Sequence, residues 1–142
     1  MIKEINKLFK DIATSHLMIN SFESGDNFDI QKKDNIYPQL FLEDDSDTIN
    51  YIKNYKNYSV AFYIFELPKE SGFDYLELKH KIELINSDII QQLFSLPSDI
   101  FYEISNVDSI FLKEWSNDSV VAIRTQLTFK VLNLNNLCES PI

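Results

Sequence analysis

The sequence predicts an α+β fold: a mostly antiparallel sheet with an N-terminal helix and one long central helix packed on one face. Three observations carry this. Residues 2–18 and 73–96 hold apolar side chains at spacings of three and four, the helical period. Residues 119–132 alternate, with Val121, Ile123, Thr125, Leu127, Phe129 and Val131 on one face and Ala122, Arg124, Gln126, Thr128 and Lys130 on the other. That is the period of a half-buried strand. Finally, 142 residues with 44% hydrophobic content, including 11 Phe and 7 Tyr, suffice for one domain over 1–142 around one core. This composition argues against intrinsic disorder.

The elements follow in the order α-β-β-β-α-β-β. Ile2, Ile5, Leu8, Phe9 and Ile12 form the stripe of the first helix, with Lys3, Glu4, Lys7, Lys10 and Asp11 filling its other face. Residues 19–31 read as a strand broken by a turn or bulge at Gly25-Asp26. Residues 36–43 are the second strand, with Pro38 near its start or on an edge because proline lacks an amide donor. These two segments are expected to form an early antiparallel pair. Residues 44–57, acidic and then rich in Tyr and Asn, are an inserted loop or a long hairpin arm. Residues 58–66 are apolar at nearly every position, so both faces of that strand are expected to be covered. Pro68 ends it. The long helix carries Leu78, Ile82, Ile85, Ile89, Leu93 and Leu96, and Pro97 stops it. Strands over 100–115 and 119–132 close the chain, joined at Ser116-Asn117-Asp118.

The net charge is −9 and the pI near 4.6. Direct nucleic-acid binding needs a basic footprint, and no cluster of Lys and Arg supplies one. One cysteine, Cys138, excludes an intrachain disulfide framework. Charges interrupt residues 1–18 too often for a signal-peptide core. No apolar run approaches the roughly 20 residues needed to span a membrane. The expectation is a protein made in a cytoplasm.

Positive signs of chemistry are missing. His16 and His80 fall on separate helices, with no Cys or carboxylate at a ligand spacing. They read as surface or boundary residues. Cys138, in a polar tail, lacks the base and electropositive setting of a reactive thiolate. Glu43, Asp44, Asp45 and Asp47 are the best acidic cluster, but no central glycine makes a calcium loop of them. They read as a solvated loop. Two glycines cannot build a phosphate-cradling loop. Glu66 and Glu70 flank Pro68 without further support as a catalytic pair. The expectation is no enzyme, no cofactor and no metal.

Residues for contact are easier to name. Tyr51, Ile52, Tyr55 and Tyr58 gather in the 44–57 arm or beside it. Trp115 precedes the final turn, and Leu84, Ile90 and Phe94 lie off the main stripe of the long helix. Aromatics serve interfaces and cores alike. A stripe this wide favours an oligomer.

Three places in the chain form a recognisable set. One is Ile19-Asn20-Ser21-Phe22 with Gly25-Asp26, Ile30 and Tyr37-Pro38. Another is Phe65-Glu66-Leu67 leading to the helix with Ile85 and Asp88-Ile89-Ile90. The third is Trp115 before a long strand, then Leu137-Cys138 and Pro141. In their order and spacing the chain resembles the short ring-forming, tail-terminator-like proteins of crAss-like and related tailed bacteriophages. The chain departs from that pattern at Glu23, Phe28 and Lys79-His80. The resemblance implies a homo-oligomeric ring, six- or twelve-fold, at the neck or tail of a virion. Such a ring joins portal and adaptor to the tail tube and leaves a channel through which DNA passes without specific binding. The runner-up is a small acidic binding or immunity-type protein that neutralises a basic partner.

Overall fold

The structure, a computed structural model, describes residues 2–25, 37–66, 75–96, 103–115 and 120–132. Within these, two helices and five strands follow one another as α1 (Ile2–Ser15), β1 (Ser21–Gly25), β2 (Gln39–Ile52), β3 (Tyr55–Glu66), α2 (Tyr75–Phe94), β4 (Glu103–Trp115) and β5 (Val120–Leu132). The strands form one sheet in the order β1-β2-β3-β5-β4, antiparallel except for its first pair. The class is α+β. Asp26, Pro68, Pro97, the 116–118 turn and the Leu137-Cys138 and Pro141 close lie outside the described residues.

Helix α1 buries Ile5, Phe9, Ile12 and Ala13. It ends at Ser15, short of the expected residue 18. The hydroxyls of Thr14 and Ser15 donate to the carbonyls of Lys10 and Ile12, and Leu17 points fully into solvent, so the apolar stripe has no continuation to hold.

The first two strands correct an expectation. β1 runs parallel to β2, with Ser21 opposite Gln39 and Gly25 opposite Glu43. A hairpin needs only a few linking residues, whereas residues 26–38 provide the dozen or so that a parallel crossover requires. Asn20 fastens the start of the pair. Its amide donates to the Pro38 carbonyl at 2.8 Å and its side-chain amide to the Tyr37 carbonyl at 2.9 Å. The Tyr37-Pro38 bond is cis. Gly25 ends β1 with φ of 157°, on the positive side of the map that a Cβ disfavours. Gly25→Val is expected to lower stability by about 1–3 kcal/mol, read as a lower midpoint in urea; an unchanged midpoint would make this glycine incidental.

The segment 44–57 is the far half of a hairpin built from β2 and β3. Ile52 faces Tyr55 across a two-residue turn at Lys53-Asn54, where Asn54 takes φ of 73°, a region asparagine tolerates better than most residues. The register slips between Glu43 and Thr48, so β2 carries a bulge where the acidic run lies.

Both helices cover one face of the sheet. Leu40 and Leu42 of β2, Tyr58, Val60, Phe62 and Ile64 of β3, and Val121, Ile123, Leu127 and Phe129 of β5 share one buried cluster with α1 and with Ile82, Ile85, Ile89 and Leu93 of α2. Phe9 packs against Phe62 and Phe129, with ring centroids at 5.1 and 6.2 Å. On the opposite face Phe41, Tyr63, Phe65 and Ala122 form a second buried cluster. Strand β3 is therefore covered on both sides, as its unbroken apolar run predicts. One polar knot crosses the helix-facing core. Asn86 Nδ2 donates to Ser109 Oγ at 3.1 Å, Ser109 and Thr125 hydroxyls meet at 2.7 Å, and Thr125 Oγ1 donates to Asn86 Oδ1 at 2.9 Å. The ring of bonds satisfies each group and pins α2 to β4 and β5 in one register.

Candidate subunit-interface surfaces

The structure separates the residues expected at contacts. Tyr51 is 70% exposed and Ile52 53% exposed at the hairpin tip. They point to opposite faces, because successive strand residues alternate. Tyr55 is half-buried, with the Lys130 ammonium 4.5 Å from its ring centre. Tyr58 is buried in the main core and is withdrawn as a contact residue. Ile90 is half-buried against the same core, whereas Phe94 is 53% exposed. Trp115 ends β4 opposite Val120, and its side chain lies outside the described residues.

Sequence reasoning missed other exposed apolar groups. Leu76 joins Leu84 and Phe94 on the solvent side of α2. Ile110 and Phe111 stand on β4, an edge strand among the described residues. Lys79 lies over the Phe111 ring at 4.6 Å. Leu17 and Met18 form an exposed corner after α1. Single exposed apolar residues are ordinary. Here they recur on the hairpin tip, on α2 and on the β4 edge.

Charged groups work within the subunit. Glu43, expected in a solvated acidic loop, is instead buried, and its carboxylate accepts from Arg124 at 3.2 Å. Arg124 Nε also donates to the Tyr63 hydroxyl at 3.1 Å. Burial pushes the Tyr63 phenol up from its ordinary pKa, and the neighbouring Glu43 charge adds to this. Burial pulls Arg124 down, but its hydrogen bonds and the charges around it carry it above its ordinary value. At the last residue of β3, three positions beyond Tyr63, the nearly buried Glu66 pairs with Lys81 of α2 at 2.6 Å. His16 accepts the Met18 amide on Nδ1, so its Nε2 carries the proton that meets Asp88 at 3.1 Å. The imidazole thus joins the end of α1 to α2. Its partner carboxylate lies 72 residues away and was invisible to spacing rules.

Tyr63 gives a test of pH dependence. Its raised folded pKa means the fold prefers the neutral phenol. The stability it contributes is intact below the ordinary tyrosine value of about 10 and is lost as pH rises through the folded value. Tyr63→Phe is expected to lower stability at neutral pH by about 1 kcal/mol, through the lost hydrogen bonds, and to flatten the alkaline fall in Tm. Parallel alkaline slopes for the two proteins would remove this assignment.

Among the described residues no group of His, Cys, Asp and Glu is arranged to hold a metal ion, and no helix is long and apolar enough to cross a membrane. No protein-family model matches the chain, and no curated protein matches it in sequence.

Proposed function

We propose that this chain is a structural ring subunit of a tailed bacteriophage, placed in the tail or the head–tail connection. It performs no reaction. Copies close into a six- or twelve-fold ring that joins portal and adaptor proteins to the tail tube. The observation that carries this reading is the pairing of an exposed hairpin tip, Tyr51 and Ile52, with unlike apolar surfaces elsewhere on the subunit: Leu76, Leu84 and Phe94 on α2, and Ile110 and Phe111 on β4. A cyclic ring joins two different patches of each subunit, and such a subunit must present more than one. The net charge of −9 suits a channel through which DNA moves without adhering. The residue similarity to tail-terminator-like proteins supplies the location.

Mass spectrometry of purified virions tests the location, with the chain expected at a copy number of six or twelve per particle. Light scattering of the purified protein tests the ring. A stable monomer that is absent from virions and binds a basic protein would replace this reading with the immunity-type one.

A further inference from the structure

The corner between α1 and β1 turns on one side chain. His16 stands just past the end of α1, and its side chain is only 9% exposed. Nδ1 accepts the Met18 amide at 3.1 Å, the bond an Asn or Asp side chain makes two residues on in a tight turn. Nε2 meets the Asp88 carboxylate of α2 at 3.1 Å. An amide N–H only donates, so Nδ1 carries no proton. An ionised carboxylate only accepts, so Nε2 carries one. The two bonds together admit a single state of the ring, the neutral imidazole protonated on Nε2.

A second proton can enter only on Nδ1. There it faces the Met18 N–H, and two donors cannot share that contact. The same proton leaves the Nε2 bond to Asp88 in place and makes it charge-assisted, the stronger kind of hydrogen bond. Protonation therefore tightens one bond of the ring and breaks the other. The surrounding elements bring few other charges to this place. His16 is the one titratable side chain between Ile12 and Asn20, and Asp88 the one between Leu84 and Phe94. On β1, Glu23 pairs with Phe41, which faces the side of the sheet away from the helices. On β2, Glu43 is held by Arg124 on that same far side.

The part of the chain that the broken bond would free is short. Before it, the His16 amide donates to the Ile12 carbonyl at 3.1 Å. After it, Ile19 is buried with its amide on the His16 carbonyl at 3.3 Å, and Asn20 is fastened to Tyr37 and Pro38. Leu17 and Met18 lie between these anchors, and they are the exposed apolar corner.

We propose that His16 is a pH-sensitive latch: its neutral imidazole caps the Leu17–Met18 corner, and its protonation frees that corner while binding α1 more firmly to α2. The latch belongs to the single subunit and does not depend on the ring reading.

The experiment is a pH titration of the nitrogen-labelled full chain by nuclear magnetic resonance. At neutral pH the ring nitrogen shifts of His16 are expected to show a bare Nδ1 and a protonated Nε2. As His16 gains its second proton, hydrogen-exchange protection of the Met18 amide, taken relative to the unstructured rate at each pH, is expected to fall about fivefold, the worth of one hydrogen bond. The fall should share the midpoint of His16 and not that of His80, which is exposed on α2. His16→Asn keeps an acceptor for the Met18 amide but takes up no proton, so its protection should hold over the same range. Asp88→Asn removes the charge that favours the imidazolium and should move the release to lower pH. A protonated Nδ1 at neutral pH, a His16 that stays neutral for as long as the chain is folded, or a Met18 amide indifferent to the His16 titration would overturn the latch. So would loss of protection in His16→Asn in step with wild type. If that variant does not fold, Asp88→Asn decides, and release at the wild-type pH overturns the proposal. None of these failures touches the ring, which virion composition tests separately.

Discussion

Phe129→Asp is expected to yield no cooperatively folded protein. Phe129 is fully buried on the helix-facing side of β5 and meets the Phe9 ring edge-on. Removing a buried phenylalanine costs about 3–5 kcal/mol through lost burial and the cavity left behind. The new carboxylate adds several kcal/mol more, because its neighbours in the core cluster are apolar. Together these approach or exceed the whole stability of an ordinary domain, about 5–15 kcal/mol. Leu127→Asp, two residues earlier on the same face, is expected to behave alike. Gln126→Lys, exposed on the other side of the strand one residue before Leu127, is the control and should stay within about 0.5 kcal/mol of wild type. The measurement is the thermal transition by circular dichroism. A cooperative melt near the wild-type midpoint for Phe129→Asp would mean that this face of β5 is not core.

That experiment probes the part of the fold most legible in the residues. The alternation from Val121 to Val131 and the stripe Ile82, Ile85, Ile89 and Leu93 each follow from the period of one element, and local period survives folding. The relation between elements was less legible. β1 and β2 read as an antiparallel pair because they are close in sequence, yet they run parallel, and only the length of the 26–38 connection hinted at it. The hairpin turn at Lys53-Asn54 has no glycine to announce it, so 44–57 read equally as loop or arm. Tyr58 looked like the arm's other tyrosines, and only the β2–β3 register places it inward while Tyr51 stays out. A cavity between α1 and β1 joins residues from 10 to 22 across a helix, a corner and a strand, and nothing in a linear pattern marks such a space. The polar pairs were the least legible. Arg124 and Glu43 are separated by 81 residues, and spacing rules reach only a turn or two.

Arg124→Met is expected to destabilise the protein by about 3 kcal/mol, the lower end for breaking a buried pair, because the arginine is itself part exposed. The loss comes less from the arginine than from what it leaves behind. The Glu43 side chain is only 5% exposed, and Arg124 is the cation paired with it among the described residues, so without the guanidinium its charge keeps only the Tyr63 hydroxyl among the partners described. For a chain of this length a loss of that size lowers Tm by about 10 °C. Removing the stranded charge as well should recover much of it. Glu43→Met alone is expected to cost less than Arg124→Met, since the arginine can turn its head toward water. The double variant, Glu43→Met with Arg124→Met, is expected to be more stable than Arg124→Met alone, with a coupling of about 1–3 kcal/mol in the cycle. Phe41 and Phe65 already make that face of the sheet apolar, so two methionines suit their surroundings. Additive losses in urea titrations of the four proteins would show that Glu43 and Arg124 act independently, and that the opposite face of the sheet is held by its aromatic cluster alone.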